Sequence, residues 1–237
     1  IFFADKIIVP SYYAKQKIIE KLKIEQNKIS TICLGADHIL EESNSYPVIK
    51  DFNYNKKYFL SVLSCVKYHN ILNLLKAFKK FKEETKTDIK FVIILSILDK
   101  NYFRTINSFV EKNFQNKEVE ILLNLDNKYL RNLYKNSSFY LFTSYSEVFG
   151  FTSLEAMNYN IPILISDTSA LKEINSNLVT YFDPDDLLDI SNKIKETIEK
   201  LNDNSSLKKN YQLHLKKYLW RNNFLETIKI LKNEIKN

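Results

Sequence analysis

Short apolar runs alternate with amphipathic segments along most of the chain. Apolar runs bounded by polar or turn-forming residues predict strands at 58–63, 89–95, 118–123, 138–142, 161–165 and 178–182. Apolar residues at helical spacing predict helices at 70–84, 101–115, 127–136, 152–159, 168–174, 185–202, about 205–217 and 219–236. Strands that alternate with helices are typical of a parallel sheet covered on both faces. The expected fold is therefore α/β, a doubly wound parallel sheet of the Rossmann-like kind.

The first 50 residues show the same alternation on a smaller scale. Apolar residues predict one strand over Asp5–Val9 and another over Lys28–Leu34, with an amphipathic helix over Tyr12–Lys23 between them. The segment 38–57 is polar, has no strong periodicity, and is expected to be a linker. A small unit of strand, helix and strand therefore precedes the larger sheet.

The most specific pattern follows the predicted strand 138–142. Glu147 and Glu155 stand eight positions apart, and Gly150 between them is one of only two glycines in the chain. Thr152 and Glu155 have the spacing of a capping box, so the next helix is expected to begin near Thr152. A helix N-terminus that follows a glycine can hold an anionic ligand, because its unpaired N–H groups and partial positive charge face the loop.

The segment Glu147-Val-Phe-Gly-Phe-Thr-Ser-Leu-Glu155-Ala-Met, followed by Ile161-Pro-Ile-Leu-Ile-Ser-Asp-Thr-Ser-Ala-Leu-Lys-Glu173, resembles the E-x7-E region of the family 4 retaining glycosyltransferases. The resemblance implies the C-terminal half of a GT-B fold plus a remnant of its N-terminal domain. Residues 51–218 would be the nucleotide-sugar-binding domain, and 1–50 the end of the acceptor-side domain with the linker. Residues 219–237 would form a helix that returns toward that domain, anchored by Trp220. Most of the acceptor-binding domain would lie outside this chain, which is expected to be a fragment.

The resemblance also implies roles for individual residues. Glu147 would be the catalytic residue beside the donor sugar, and Glu155 would bind the ribose hydroxyls. Further substrate contacts would come from Phe149, Gly150, Phe151 and Thr152. The implied activity is retaining, hexosyl-type transfer from a nucleotide-diphosphate sugar to a glycan or lipid-linked acceptor, in the synthesis of polysaccharide, lipopolysaccharide or another glycoconjugate. Neither a metal nor a cofactor is expected.

The segment after the first strand of the larger sheet departs from the family pattern. Leu63 stands where the family usually has Gly, and Tyr68 and His69 stand where it has a basic pair that binds the donor diphosphate. Lys67 and His69 are the candidates for supplying positive charge there. A surface or capping histidine is the alternative interpretation of His69. The departures also leave open a second function, a non-catalytic nucleotide-sugar-binding or partner domain with a degenerate donor site.

Taken singly, several of these residues have simpler interpretations. Glu155 can be half of a capping box, Glu147 an exposed loop charge, and the aromatic residues beside Gly150 part of the core. The segment Asp183-Pro-Asp185-Asp186 superficially resembles a metal-binding carboxylate pair, but it stands just before a long helix and predicts a turn with an N-cap. Asp126, before the helix 127–136, predicts a cap by the same reasoning.

Composition narrows the classes of protein further. The net charge is +7, but the lysines are spread over many predicted helices, so no nucleic acid partner is expected. No apolar run reaches the roughly 18 residues of a membrane span, and the three histidines are scattered, which predicts no metal cluster. Cys33 and Cys65 lie in apolar runs and are expected to be buried thiols in a reducing compartment. The expected location is cytoplasmic, with peripheral membrane contact if the acceptor is lipid-linked.

Overall fold

The computed structural model describes residues 1–39, 47–50, 52–54, 57–199 and 205–235. A small parallel sheet pairs β1 (Ile7–Val9) with β2 (Ile29–Thr31), and α1 (Tyr12–Leu22) connects the two strands. Both strands are shorter than predicted. Most of the linker 38–57 lies outside the described residues.

The larger sheet has six parallel strands, and the predicted doubly wound α/β fold is confirmed. Its strands are β3 (Tyr58–Cys65), β4 (Lys90–Ile97), β5 (Val119–Leu123), β6 (Phe139–Phe142), β7 (Ile163–Ser166) and β8 (Thr180–Phe182). The helices are α2 (Ile71–Thr85), α3 (Lys100–Asn113), α4 (Asn127–Asn136), α5 (Phe151–Asn158), α6 (Ser169–Asn175), α7 (Leu187–Glu199), α8 (Ser205–Leu215) and α9 (Trp220–Ile235).

The strand order creates a crevice near the middle of the sheet. The order is β5-β4-β3-β6-β7-β8, so the chain runs outward from β3 to β5 and then returns to pair β6 with the other side of β3. The β3 and β6 strands pair at Phe59 with Phe139 and at Leu60 with Tyr140. Connections that leave two adjacent strands in opposite directions separate at the carboxyl ends, which is where open α/β sheets bind ligands. The loops after β3 and β6 therefore frame the expected ligand site.

Aromatic rings fill much of the core between the sheet and α2. The fully buried ring of Phe59 contacts Phe78 at 5.8 Å, Phe81 at 5.9 Å and Phe139 at 5.1 Å between centroids. Offset and edge-to-face ring pairs at these separations stabilise a core beyond the area they bury. Of the two thiols, Cys65 is buried as expected, at the end of β3. The expectation for Cys33 is wrong in part, because Cys33 lies beyond the short β2 strand and is only partly buried.

The N-terminal unit contacts the larger sheet domain through α1 and α6. The two carboxylate oxygens of Glu173, in α6, accept hydrogen bonds from the backbone N–H groups of Tyr12 and Tyr13 at 2.7 and 2.9 Å. Ser11 caps the same helix end, because its hydroxyl accepts from the Ala14 N–H at 3.1 Å. A carboxylate at a helix N-terminus pairs free N–H groups and complements the helix dipole.

We expect Glu173→Ala to destabilise the chain by about 1 kcal/mol, the usual cost of losing an N-terminal cap. Two N–H groups of α1 would then depend on water for partners. Urea unfolding measures the change. Glu199→Ala, at an exposed position at the end of α7, is the matched control and should leave the free energy of unfolding unchanged. Equal stability of the two variants would contradict the capping role of Glu173.

Candidate functional site

The loops after β3 and β6 lie against each other at the carboxyl edge of the sheet. The Tyr145 N–H donates to the Tyr68 carbonyl at 2.8 Å, and the Thr143 hydroxyl donates to the His69 carbonyl at 2.9 Å. Beside them is an open cleft of about 380 Å³. Its lining includes Val62, Leu63, Ser64, His69, Ser96, Glu147, Phe149, Gly150, Phe151 and Thr152. The structure therefore brings most of the predicted site residues to one cleft.

Helix α5 begins at the floor of this cleft, directly after Gly150. Gly150 has a φ of +83°, a backbone conformation that favours glycine. A Cβ atom there would also lie only 2.6 Å from the Leu171 side chain. The helix starts at Phe151, and no side chain caps it. The predicted capping box of Thr152 and Glu155 is therefore wrong. A left-handed glycine makes the turn into the helix, and Glu155, one turn further along, is not part of a helix cap.

Glu147 extends from the loop after β6 and contacts His69. The distance from His69 Nε2 to Glu147 Oε1 is 3.1 Å, and His69 Nδ1 lies 2.6 Å from the Ser64 carbonyl oxygen. His69 is only 7% exposed, and Asn70 occupies the N-cap position of α2. The surface or capping interpretation of His69 is therefore wrong.

Positive charge is scarce in the described part of the cleft. Lys67 is exposed on the short 3-10 turn that precedes α2 and is not among the residues that line the cleft. Among the described lining residues His69 is the only basic one. Leu63 is buried in the wall of the cleft, at the position where the sequence departs from the family pattern.

Glu155 lines a second, smaller cavity. Its Oε2 accepts from the Tyr134 hydroxyl at 2.9 Å, and its Oε1 lies 3.1 Å from His38 Nε2. The cavity has a volume of about 110 Å³ and is also lined by Asn127 and Arg131. Burial, together with the nearby Glu155 carboxylate, raises the pKa of Tyr134 well above its ordinary value. The tyrosine hydroxyl therefore keeps its proton and donates to Glu155.

His38 links the N-terminal unit to this cavity. The hydrogen bond to Glu155 raises the pKa of His38, with smaller contributions from the charges of Glu155 and Asp37, while partial burial and Arg131 oppose the rise. Its ring also meets Phe151 edge-on at 6.0 Å between centroids.

A raised pKa in the folded state means that folding favours protonated His38. Its contribution to stability should therefore be complete below the ordinary histidine pKa of about 6.5 and should disappear as the pH rises through the folded value. We expect His38→Gln to destabilise the chain more at pH 6 than at pH 8 in urea unfolding. A difference between wild type and variant that does not change between these pH values would contradict the ion pair.

Aromatic rings connect the site to the last helix. Phe149 is buried and contacts Phe151 at 5.1 Å, and Phe151 in turn stacks on Trp220 at 6.4 Å between centroids. The backbone N–H of Trp220 donates to the Asp37 carboxylate at 2.9 Å. Trp220 thus fixes the start of α9 against residues 35–37, whereas the predicted domain division at 50 and 218 stays a prediction.

A family model described as glycosyl transferases group 1 matches residues 43–214, which is more than two thirds of the chain. The chain belongs to this family. The predicted membership of a glycosyltransferase family is confirmed.

Two relatives of this group 1 glycosyltransferase chain are named O-antigen chain mannosyltransferases. The chain is 26% identical over 208 residues to the O-antigen chain mannosyltransferase RfbU of Salmonella typhimurium, covering 86% of this chain and 54% of that protein. It is 24% identical over 200 residues to the O-antigen chain mannosyltransferase B of Escherichia coli, covering 83% of this chain and 52% of that protein. The chain thus spans about half the length of these relatives.

Solved structures share the fold. A glycosyltransferase from Rickettsia africae superimposes with a TM-score of 0.84 at 18% identity, over 98% of this chain and 64% of that one. Alr3699/HepE of Anabaena, solved in complex with UDP and glucose, superimposes with a TM-score of 0.81 at 12% identity, again over 98% and 64%. In the described part of the group 1 chain, no helix combines the length and the apolar character needed to cross a membrane.

The aspartate segments have the structural roles predicted for them. Asp183 accepts from the Asp185 N–H at 2.9 Å, and Asp186 accepts from two N–H groups at the start of α7 at 2.8 and 3.1 Å. Asp126 caps α4 by accepting from the Lys128 N–H at 3.0 Å. The described residues contain no group of three or more metal-ligating side chains.

Proposed function

We propose that this chain forms the donor-binding part of a glycosyltransferase that moves a sugar from a nucleotide-diphosphate donor to an acceptor with retention of configuration. The proposal rests on one observation above the others. Glu147 lines the cleft at the α5 N-terminus, and Glu155, one turn into the same helix, lines a separate cavity. A donor that extends across α5 would have its sugar near Glu147 and its nucleoside near Glu155.

The two cavities suit the two ends of a nucleotide sugar. We assign Glu155 to the ribose hydroxyls, because a buried carboxylate accepts such hydrogen bonds well. The diphosphate would lie at the α5 N-terminus, close to Gly150, where free N–H groups and the helix dipole favour an anion. The backbone of Phe149, Phe151 and Thr152 would contribute further contacts there. Lys67 and His69 remain the candidates for added positive charge, with His69 the better placed.

Glu147 would act on the sugar itself. Departure of the diphosphate leaves positive charge at the anomeric carbon, and a fixed carboxylate beside that carbon stabilises it. No metal is required in this scheme, since the free N–H groups and the dipole of the α5 N-terminus would balance the leaving diphosphate.

The names of the relatives support a proposal for the acceptor and the sugar. Two of them are named O-antigen chain mannosyltransferases. We therefore propose a hexose as the transferred sugar and a glycan or lipid-linked acceptor, in the synthesis of a cell-surface polysaccharide or lipopolysaccharide. Such a protein would work in the cytoplasm, with peripheral contact to the membrane for a lipid-linked acceptor.

A second function is a non-catalytic nucleotide-sugar-binding domain. The observation in its favour is the scarcity of cationic side chains along the described wall of the cleft, together with the buried Leu63. The negative charge of a leaving diphosphate would then be poorly balanced, which would slow transfer. Glu155 would still bind the nucleotide sugar.

Release of nucleoside diphosphate from a panel of nucleotide sugars separates the two functions. An active transferase should release it slowly in water and faster with an acceptor glycan, and NMR of the product should show the anomeric configuration of the donor. Binding of a nucleotide sugar without release would favour the second function. Product with inverted configuration would contradict the retaining assignment.

A further inference from the structure

Both ring nitrogens of His69 have partners, and the first one fixes the tautomer. Nδ1 lies 2.6 Å from the Ser64 carbonyl oxygen, which can accept a hydrogen bond but cannot donate one. Nδ1 must therefore carry a hydrogen. In a neutral ring with this tautomer, Nε2 would present a lone pair.

The second nitrogen faces a carboxylate. Nε2 lies 3.1 Å from Glu147 Oε1, across 78 positions of sequence. Two lone pairs would repel each other at this distance, so one proton must lie between the atoms. The imidazole nitrogen is the stronger base of the two groups, so the shared proton resides on Nε2, and Nε2–H donates to Glu147 Oε1.

The surroundings hold the histidine ring in place. The ring centroid lies 4.5 Å from that of Tyr68 and 6.0 Å from that of Phe142. Glu147 belongs to the loop between β6 and α5 and is more exposed, at 18% of its side chain against 9% for His69. Both residues line the cleft, with His69 the more buried partner and Glu147 the more exposed one.

The contact does more than join the two loops. They are already joined by the Tyr145 N–H on the Tyr68 carbonyl and by the Thr143 hydroxyl on the His69 carbonyl. The imidazole of His69 additionally orients the carboxylate of Glu147.

We propose that His69 is the positioning residue of Glu147. The Ser64 carbonyl fixes the tautomer, and the Nε2–H donates to the Glu147 carboxylate and holds it toward the cleft. This inference rests on the proposed function, in which Glu147 faces the donor sugar. It replaces phosphate binding as the main role of His69.

The protonation state can be tested on this chain without any ligand. The chain has three histidines, at positions 38, 69 and 214, so ¹⁵N NMR of the imidazole rings can be assigned with His38→Gln and His214→Gln variants. We expect hydrogens on both nitrogens of His69 at pH 7, and loss of the Nε2 hydrogen in Glu147→Gln. An Nδ1 without hydrogen, or an Nε2 unaffected by Glu147→Gln, would overturn the proposal.

Two substitutions of His69 test the positioning role itself. Asparagine can replace Nδ1 toward the Ser64 carbonyl but is too short to reach Glu147, whereas glutamine places an N–H near the position of Nε2. We expect His69→Asn to lower turnover about 10- to 100-fold, as misplacement of a reacting group does, with nucleoside diphosphate affinity changed less than about twofold. His69→Gln should recover part of the loss. In a chain that already carries Glu147→Gln, His69→Asn should lower turnover little further.

Other outcomes separate this inference from the proposed function. Loss of nucleoside diphosphate affinity in His69→Asn, with turnover at saturating donor unchanged, would assign His69 to the phosphate and overturn the positioning role. If wild type binds no nucleotide, the proposed function fails, and the NMR experiment still decides whether His69 holds Glu147.

Discussion

Replacing Glu147 with glutamine is expected to lower the rate of sugar transfer by about 10²- to 10³-fold, the usual effect of removing one electrostatic group aimed at a transition state. Glutamine keeps the shape of the side chain but loses its negative charge. The charge is needed at the anomeric carbon when the diphosphate leaves, and the ground-state donor gains little from it. Turnover should therefore fall far more than donor affinity.

The measurement is the rate of nucleoside diphosphate release at saturating donor, with affinity determined separately by calorimetry. Glu199→Gln, at the exposed end of α7, is the matched control. A Glu147→Gln variant that binds the donor and turns it over at the wild-type rate would remove Glu147 from the chemistry.

Replacing Gly35 with alanine is expected to destabilise the chain by about 3 kcal/mol or more, at the upper end of the range for overpacking. A Cβ atom at this position would lie 2.3 Å from the backbone nitrogen of Trp220 and 2.4 Å from its Cγ. Backbone cannot rotate away as a flexible side chain can, so the start of α9 would have to shift. The adjacent hydrogen bond from Trp220 N–H to Asp37 would be lost with it.

Urea unfolding measures this effect, and Asp37→Ala is the matched control, because it removes the same hydrogen bond without adding volume. Asp37→Ala should lower the free energy of unfolding by about 1 kcal/mol, the typical contribution of one hydrogen bond. Similar losses in the two variants would show that the close approach of α9 to Gly35 is not needed for stability. Residues 35–37 contact the start of α9, and the next residue, His38, contacts Glu155. We therefore also expect Gly35→Ala to weaken nucleotide binding.

The sequence predicted the parts of the fold that depend on local patterns. The buried strands β4 and β6 are apolar runs, and the helices between strands have clear periodicity, so their positions follow from sequence. Local reasoning failed at the start of α5. The spacing of Thr152 and Glu155 is common to capping boxes, but Gly150 in a left-handed conformation begins the helix without a side-chain cap.

The partners of the two glutamates could not be predicted, because they come from distant parts of the chain. Glu155 meets His38 across 117 positions and Tyr134 across 21, and neither partner belongs to a recognisable motif. Glu147 meets His69 only because the switch point of the sheet places the loops after β3 and β6 side by side. The spacing of the glutamates indicated a shared function, while the separate cavities they face depend on the geometry of α5.

The most direct test of the donor-site assignment is the thermal shift of this chain with a panel of nucleoside diphosphates and nucleotide sugars. A ligand at 100 times its Kd stabilises the folded state by about 2.7 kcal/mol, which is readily seen. Each variant is compared with its own ligand-free midpoint, so a loss of basal stability does not confuse the result. We expect at least one nucleotide to raise the midpoint of wild type, Tyr134→Phe to weaken that response, and Glu155→Ala to abolish it. A folded chain that responds to none of these nucleotides, or an equal response in Glu155→Ala, would contradict the donor site.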